Sequence, residues 1–404
     1  MTSAEDVDTL LARIPDPSIR SMFTREFVLC AEHFDQFTVD SVLRLVHELG
    51  FAEPLTRGVS ARQLVASRGF AQRAEIPLRW FFRKLAAAGF LDVDRDGVAA
   101  ADAVYRSRGP LPFGDPDRAE SQAKALDPRS LPAFAVVRAM IAHVPEFLRG
   151  EKTGEEILFS PAKLSLWFDY FSNENLLYQI NNRLGAEAVV RALPATRRAT
   201  VVELGGGSGS AAVAVGERLA RDGALTRVER YVFTEIVPTF LRRAERTLKA
   251  RFPDLPVEFR KLDMNEDFLA QGVPAGIADV VYAVNTVHIA RDLAATLARI
   301  RETLKPGGLA VFSECVRPFP DQPIYVEFVF NFLENFTGVA TDPETRPNHG
   351  FLTPENWRRA FRASGFERTE ILPDVEELAR HYEAFFVAAV SARRPLRDGS
   401  SQKG

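Results

Sequence analysis

The chain has 404 residues, 46% hydrophobic and 26% charged, with 51 Lys and Arg against 54 Asp and Glu for a formal charge of −3. That length implies two or three domains around at least one large core, and the near-neutral balance removes the basic excess of a nucleic-acid or anionic-membrane binder. No apolar run approaches the roughly 20 residues of a membrane span, the first residues carry early acids instead of a secretory core, and Cys30 and Cys315 alone exclude a disulfide scaffold or cysteine zinc site; a soluble, cytoplasmic protein is expected.

In chain order, residues 37–105 read as a small independent unit. Val39, Val42, Leu45, Val46 and Leu49 recur at helical spacing up to Gly50. Ser60 caps a short helix, ARQLVAS, and PLRWFFRKLAAAGF is an apolar helix stopping at Gly89. FLDVDRDGVAAA then gives two extended runs joined by Asp96-Gly97, a hairpin signal. Three helices and a hairpin are the order of a winged helix. Residues 106–130, rich in Pro, Gly and charge, read as a linker, and Leu131 to about Arg198 as helical.

Beyond Arg198 short β-branched runs alternate with helices. The strands expected are ATVVEL, RYVFTE, VEFRKLD, ADVVYAVN, LAVFSE, FERTEIL and AFFVAAVSA, with SAAVAVGERLARDG, PTFLRRAERTLKARF, RDLAATLARIRETL and PENWRRAFRASGF as helices between them. Such alternation predicts an α/β domain with a parallel, doubly wound sheet covered on both faces. The domain boundaries expected are 1–130 (winged-helix-like, mainly helical), 131–198 (helical linker or lid), 199–395 (α/β) and a disordered tail at 396–404.

The first strand runs into Glu203-Leu204-Gly205-Gly206-Gly207-Ser208-Gly209. Alternate glycines let the backbone turn sharply and approach a ligand, and the following helix offers free N–H groups there. Such glycines can also serve a tight turn alone. The second strand ends at Glu235, where a carboxylate meets ribose hydroxyls in such sheets, and the third at Asp263-Met264, an acid and a polarisable side chain suited to adenine. All three lie at carboxyl ends of strands, so a nucleoside site is expected.

A dinucleotide site wants G-x-G-x-x-G; here the pattern is acid-x-G-x-G-x-G. That pattern resembles the first motif of class I S-adenosylmethionine-dependent methyltransferases, a likeness covering Thr200 to about Arg393. Lys305-Pro306-Gly307-Gly308 is similar to the family's L-K-P-G-G turn. The resemblance implies a Rossmann-like fold and S-adenosylmethionine as cofactor. By it Glu203 neighbours the cofactor's amino-acid part, Gly205, Gly207 and Gly209 form the loop under its ribose, Glu235 holds the ribose hydroxyls, and Asp263 and Met264 meet the adenine. Asn285 faces the sulfonium end, and Tyr178 is a candidate contact from the aromatic and amide-rich run Trp167–Asn182. That run reads either as a lid or as an ordinary helix seam. Methyltransferases of natural-product pathways often carry a similar N-terminal module, which implies dimerisation and a roof over the substrate rather than DNA binding.

His288, after the fourth strand, is the candidate base, with a core or capping histidine as the structural alternative. The connection from Glu314-Cys315 to Pro354 is long enough to be functional; it holds IYVEFVFNFLENF, read as one aromatic helix, and Arg346-Pro347-Asn348-His349-Gly350-Phe351. The run Trp167–Asn182, VNTVHIARDL and SECVRPFP look like the methyltransferases of polyketide pathways. Plant-type phenol O-methyltransferases place Asp after the histidine, where this chain has Ile289. The likeness implies carbon methylation of an acyl or carbonyl substrate, free or carrier-tethered, with His288 as base, Glu314 as its partner and His349 as a third catalytic candidate. O-methylation of a hydroxylated small molecule and a cofactor-sensing regulator are the alternatives. A divalent metal, not favoured, would use His288, His349 and Glu314 or Glu327. No nucleic-acid or membrane partner is expected, and a homodimer is implied only by likeness.

Overall fold

The computed structural model describes residues 4–94 and 102–396. The helical N-terminal region is led by the long helix Arg25–Glu48, capped by Thr24, whose side chain accepts from Phe27 N at 3.2 Å. The helices Ala61–Arg68 and Glu75–Ala87 follow, the first capped by Ser60 as expected, in a capping box with Gln63. Strand β1 (Leu91–Asp94) pairs antiparallel with β2 (Val104–Ser107), Leu91 opposite Ser107. The expected turn at Asp96-Gly97 and the Val98–Ala100 run after it lie outside the described residues, as does the expected tail from 397 on.

The stretch read as a linker is instead docked structure. Asp115 caps a helix, Pro116–Leu126, that packs along Arg25–Glu48, with Ala119 and Ala123 buried between them. Proline and glycine here mark a helix start and a close approach: a Cβ on Gly114 would stand 2.1 Å from the carbonyl oxygen of Asp40.

Seven strands form one sheet: β3 (Ala199–Leu204), β4 (Val228–Thr234), β5 (Val257–Arg260), β6 (Ala278–Val284), β7 (Leu304–Cys315), β8 (Glu367–Leu372) and β9 (Val387–Arg393), in spatial order β5-β4-β3-β6-β7-β9-β8. The first five are parallel, and β3 and β6 are buried along their whole length, as near-continuous apolar runs demand. The sheet is not wholly parallel: β9 runs antiparallel to both β7 and β8, with Cys315 opposite Val387. Periodicity reports burial and not direction, so the expectation of a parallel sheet failed at its last strands. Asp279 at the foot of β6 accepts from Thr200 N at 2.8 Å and from Lys305 Nζ at 2.8 Å, tying three neighbouring strands together away from the ligand end.

One apolar core runs from Val7 to Ala392, and a second, on the other face of the sheet, holds Val189, Val213, Tyr231 and Tyr282. The segment expected to stand alone shares the first core: Phe81 stacks on Phe328 of the long connection at 5.4 Å, and Trp80 Nε1 donates to Glu327 Oε2 at 3.1 Å. Helix Leu176–Ala192 likewise lies on the sheet, with Gly185 letting Tyr282 approach so closely that a Cβ would sit 2.5 Å from its hydroxyl.

Gly114→Ala is expected to cost about 1–3 kcal/mol, because neither backbone can yield, and to lower the melting temperature by several degrees. Gly109→Ala, which has open space around it, should leave the melting curve in place.

Candidate active site

The sequence order reverses between β3 and β6, the position where open sheets of this kind bind ligands outside their carboxyl ends. A cavity of about 810 Å³ opens there, its wall formed by the glycine loop, Glu235, Met264 and Asn285 among others. The glycines are needed one by one. Gly205 (φ 59°) leaves no room for a Cβ, which would be 2.5 Å from Thr286 Cγ2, while Gly207 (φ 56°) faces open space. Gly209 (φ 92°) starts helix Ser210–Arg221. Glu235 steadies the loop: Oε2 accepts from Gly207 N at 2.9 Å and Oε1 from Val237 N at 2.7 Å. Asp263 Oδ1 accepts from Asn265 N and Nδ2, each at 2.9 Å, which holds the Met264 turn on the cavity wall.

Glu203 is fully buried on this wall. Its Oε2 accepts from the Tyr231 hydroxyl at 2.7 Å and its Oε1 has no partner, so burial pushes its carboxyl up to about 8. An orphaned buried acceptor, a loop stripped of Cβ atoms and a second carboxylate share one cavity, a donor and acceptor set that fits a nucleoside cofactor such as S-adenosylmethionine.

His288 and Glu314 are brought together by adjacent parallel strands, since His288 follows β6 and Glu314 ends β7. Nδ1 of His288 lies 2.7 Å from Glu314 Oε2, and both side chains are buried. The other oxygen, Oε1, accepts from Val287 N at 3.0 Å and Thr286 N at 3.2 Å. A carboxylate oxygen facing Nδ1 selects the tautomer with its hydrogen there, the one in which a neutral imidazole carries its lone pair on Nε2. The ring packs against Phe351 at 4.4 Å between centroids, and Phe336 lies 5.8 Å away.

His288 lines a second, apolar cavity of about 120 Å³. Its wall carries no Asp, Glu, Lys or Arg among the described residues; Tyr178, Asn181 and Asn285 are its main polar groups. Tyr178, Asn285, Phe171 and Ile289 border this pocket and the large cavity alike, so the two meet beside the dyad. Asn285 is held at φ 46°, a conformation rare outside glycine, with its N donating to Ser313 O at 2.8 Å and its Oδ1 accepting from Cys315 N at 2.9 Å. The aromatic run is both seam and wall: Trp167 donates to Leu158 O at 2.8 Å, stacks on Phe171 and lines the pocket.

His349 does not join the dyad. It borders a different cavity, with Nε2 3.1 Å from Asn331 Oδ1, and the Phe336 ring stands between the two histidines. Glu327, the alternative metal carboxylate, is bound to Arg317 and Trp80 instead. No three His, Cys, Asp or Glu side chains gather into a metal site among the described residues. Two groups of the same loop escaped sequence reasoning: Arg346, buried, donates to the carbonyls of His288 and Ala290, and Phe351 packs on the His288 ring. The one signal for them was the position of that loop in an overlong connection. IYVEFVFNFLENF, read as one helix, is two short ones, Glu327–Phe330 and Glu334–Thr337; Tyr325, Phe330 and Phe336 face the apolar pocket, while Glu327 and Asn331 face a separate cavity.

Residues 202–310 match the family model described as a methyltransferase domain. The chain is 31% identical over 228 residues to the lovastatin diketide synthase lovF of Aspergillus terreus, covering 56% of this chain and 9% of that protein. It is 27% identical over 299 residues to the polyketide synthase ThaQ of Burkholderia thailandensis, covering 71% and 14%. The chain spans about a tenth of the length of the curated relatives it matches. In fold it is similar to the CurJ carbon methyltransferase, with a TM-score of 0.76 at 19% identity over 97% of this chain and 98% of that one. No helix among the described residues is long and apolar enough to cross a membrane.

The Glu203 carboxyl is protonated more readily in the folded chain than at its ordinary value of 4.5, so its contribution to stability is full below that value and is lost as pH rises through about 8. Denaturation followed from pH 5 to 8 should show this decline, and Glu203→Gln should flatten it.

Proposed function

We propose, for a chain that carries a methyltransferase domain of the S-adenosylmethionine-dependent class I fold, that it methylates carbon in an acyl thioester presented on a carrier protein. The observation that carries this reading is the His288–Glu314 pair, whose histidine lines an apolar pocket that shares wall residues with the large cavity. S-adenosylmethionine, when bound, supplies an electrophilic methyl group on a sulfonium.

The chain's own residues supply the rest. An α-carbon next to a thioester carbonyl becomes a nucleophile by losing a proton, and Nε2 of His288 takes it. Glu314 holds the ring in the right tautomer and stabilises the imidazolium that results; its own two backbone donors keep it from turning away. The electron pair left on carbon would form the new C–CH₃ bond with the methyl group that the bound cofactor would supply, whose S–CH₃ bond would break to leave a neutral thioether. In-line displacement needs alignment and a dry site. The aromatic wall excludes water, and Asn285 and Tyr178 sit where the two cavities meet, positioned to orient acceptor and donor. A wall without charged side chains suits a neutral ketoacyl group better than a carboxylate.

Names of the relatives support the same reading: several are polyketide synthases, and two of the similar folds are carbon methyltransferases by title. Carrier tethering is the state in which a synthase of that kind holds its acyl chain.

The test is intact-mass analysis of a ketoacyl-loaded carrier protein incubated with the chain and S-adenosylmethionine, beside a panel of free phenols. A gain of one methyl on the acyl group is expected; transfer to hydroxyls alone overturns the reading. His288→Ala should lower turnover by about 10²–10⁴-fold with cofactor affinity kept within twofold, and Glu314→Gln should lower it less.

A further inference from the structure

The apolar pocket beside His288 has a direction. At one end Phe171, Tyr178, Asn285 and Ile289 border it and the large cavity alike. At the other, Tyr325 of the long connection joins Phe386 and Val387 on its wall, and none of these three borders the large cavity. The order of strands explains the path. β7 lies between β6 and β9, so from His288, which follows β6, the pocket crosses Cys315 at the end of β7 and reaches Val387 opposite it at the start of β9. Two strand spacings separate β6 from β9, roughly 10 Å.

That far end is a partition. Tyr325, Phe386 and Val387 also wall another cavity, of about 10 Å³, whose opposite side is made by Phe27, Val28 and Ala31 of helix Arg25–Glu48. The cavity behind has about the room of a single water. The Tyr325 and Phe386 rings meet edge to face, 4.8 Å between centroids at 69°, and both are buried. One layer of side chains therefore divides two apolar voids, and the larger of them ends against two rings.

A pocket that is open on the methyl-donor side and closed at its other end measures length. The arm that bears a thioester must reach solvent, and the large cavity is the side that opens. With the α-carbon at His288, the tail of the acyl chain then runs toward β9. The pocket's volume of about 120 Å³ takes about eight to ten groups of water size. We propose that Tyr325 and Phe386 form the floor of the acyl pocket and set the longest acyl chain that this protein accepts. The proposal rests on the reading of an acyl substrate at His288, and the measurements below separate failure of one from failure of the other.

A graded series of straight-chain ketoacyl pantetheine thioesters is the probe. With the native chain, kcat/KM should rise by about fourfold per added methylene up to about eight carbons and fall by about tenfold or more beyond the limit. Phe386→Ala joins the pocket to the cavity behind it and should move the limit to longer chains by several carbons. Phe386→Leu and Tyr325→Leu, milder changes that keep an apolar side chain in place, should each move it by less. Ala31→Met added to Phe386→Ala refills the space from behind and should draw the limit back, which a general loosening of the fold would not allow. A native chain with no limit overturns the floor. So does a limit that no variant moves, or a loss of activity that is equal at every length. If no thioester is methylated, calorimetric titration with the same series still reads the floor. Tightest binding at one length, displaced to longer chains in the Phe386 variants, then upholds the floor while the methylation reading falls; affinity that does not depend on length overturns both.

Discussion

Everything at the reactive end of this molecule hangs on the two oxygens of Glu314. One holds Nδ1 of His288 and the other caps the backbone of Thr286 and Val287, so a single carboxylate sets both the ring and the turn that carries it. It lies near the end of β7, completely buried beside β6. Arg346 closes the arrangement from the opposite side by binding the carbonyls of His288 and Ala290, and burial of that guanidinium pushes its pKa down to about 10. A buried cation that spends its donors on carbonyls is costly, and here it fixes the backbone on which His288 stands.

Around this fixed point the chain separates two kinds of surface. The glycine loop, Glu203 and Glu235 make a polar cavity that can take a charged, hydroxyl-bearing ligand. Tryptophan, tyrosine and phenylalanine rings make an apolar one, drawn from the helical region and from the long connection together. Neither region could enclose it alone, which is why their cores are continuous.

Much of this could be read from the residues. Strand limits such as Ala199–Leu204 and Ala278–Val284 follow from apolar runs that end in glycine or asparagine. Glu203, Gly205, Gly207, Glu235, Asp263 and Met264 line one cavity because they follow or end neighbouring parallel strands, whereas Gly209 caps the next helix and is not on that wall. The pairing of His288 with Glu314 is legible for the same reason. What escaped depends on tertiary geometry. The antiparallel course of β9 leaves no mark in its periodicity. The docking of Pro116–Leu126 rests on one close contact at Gly114. His349 has the neighbours of a functional histidine, yet its ring turns away from His288, and the contacts to that residue come from Arg346 and Phe351 on either side of it.

The reversed direction of β9 also imposes an order on synthesis. Because Val387 lies opposite Cys315, the chain's last strand begins at the reactive end of the sheet, and Phe386 and Val387 complete the wall of the apolar pocket. Every residue around the large cavity has left the ribosome by Gly338, but the pocket beside it stays open until nearly fifty more have followed. The residues that wall the large cavity are therefore all made before those that complete the apolar pocket beside it.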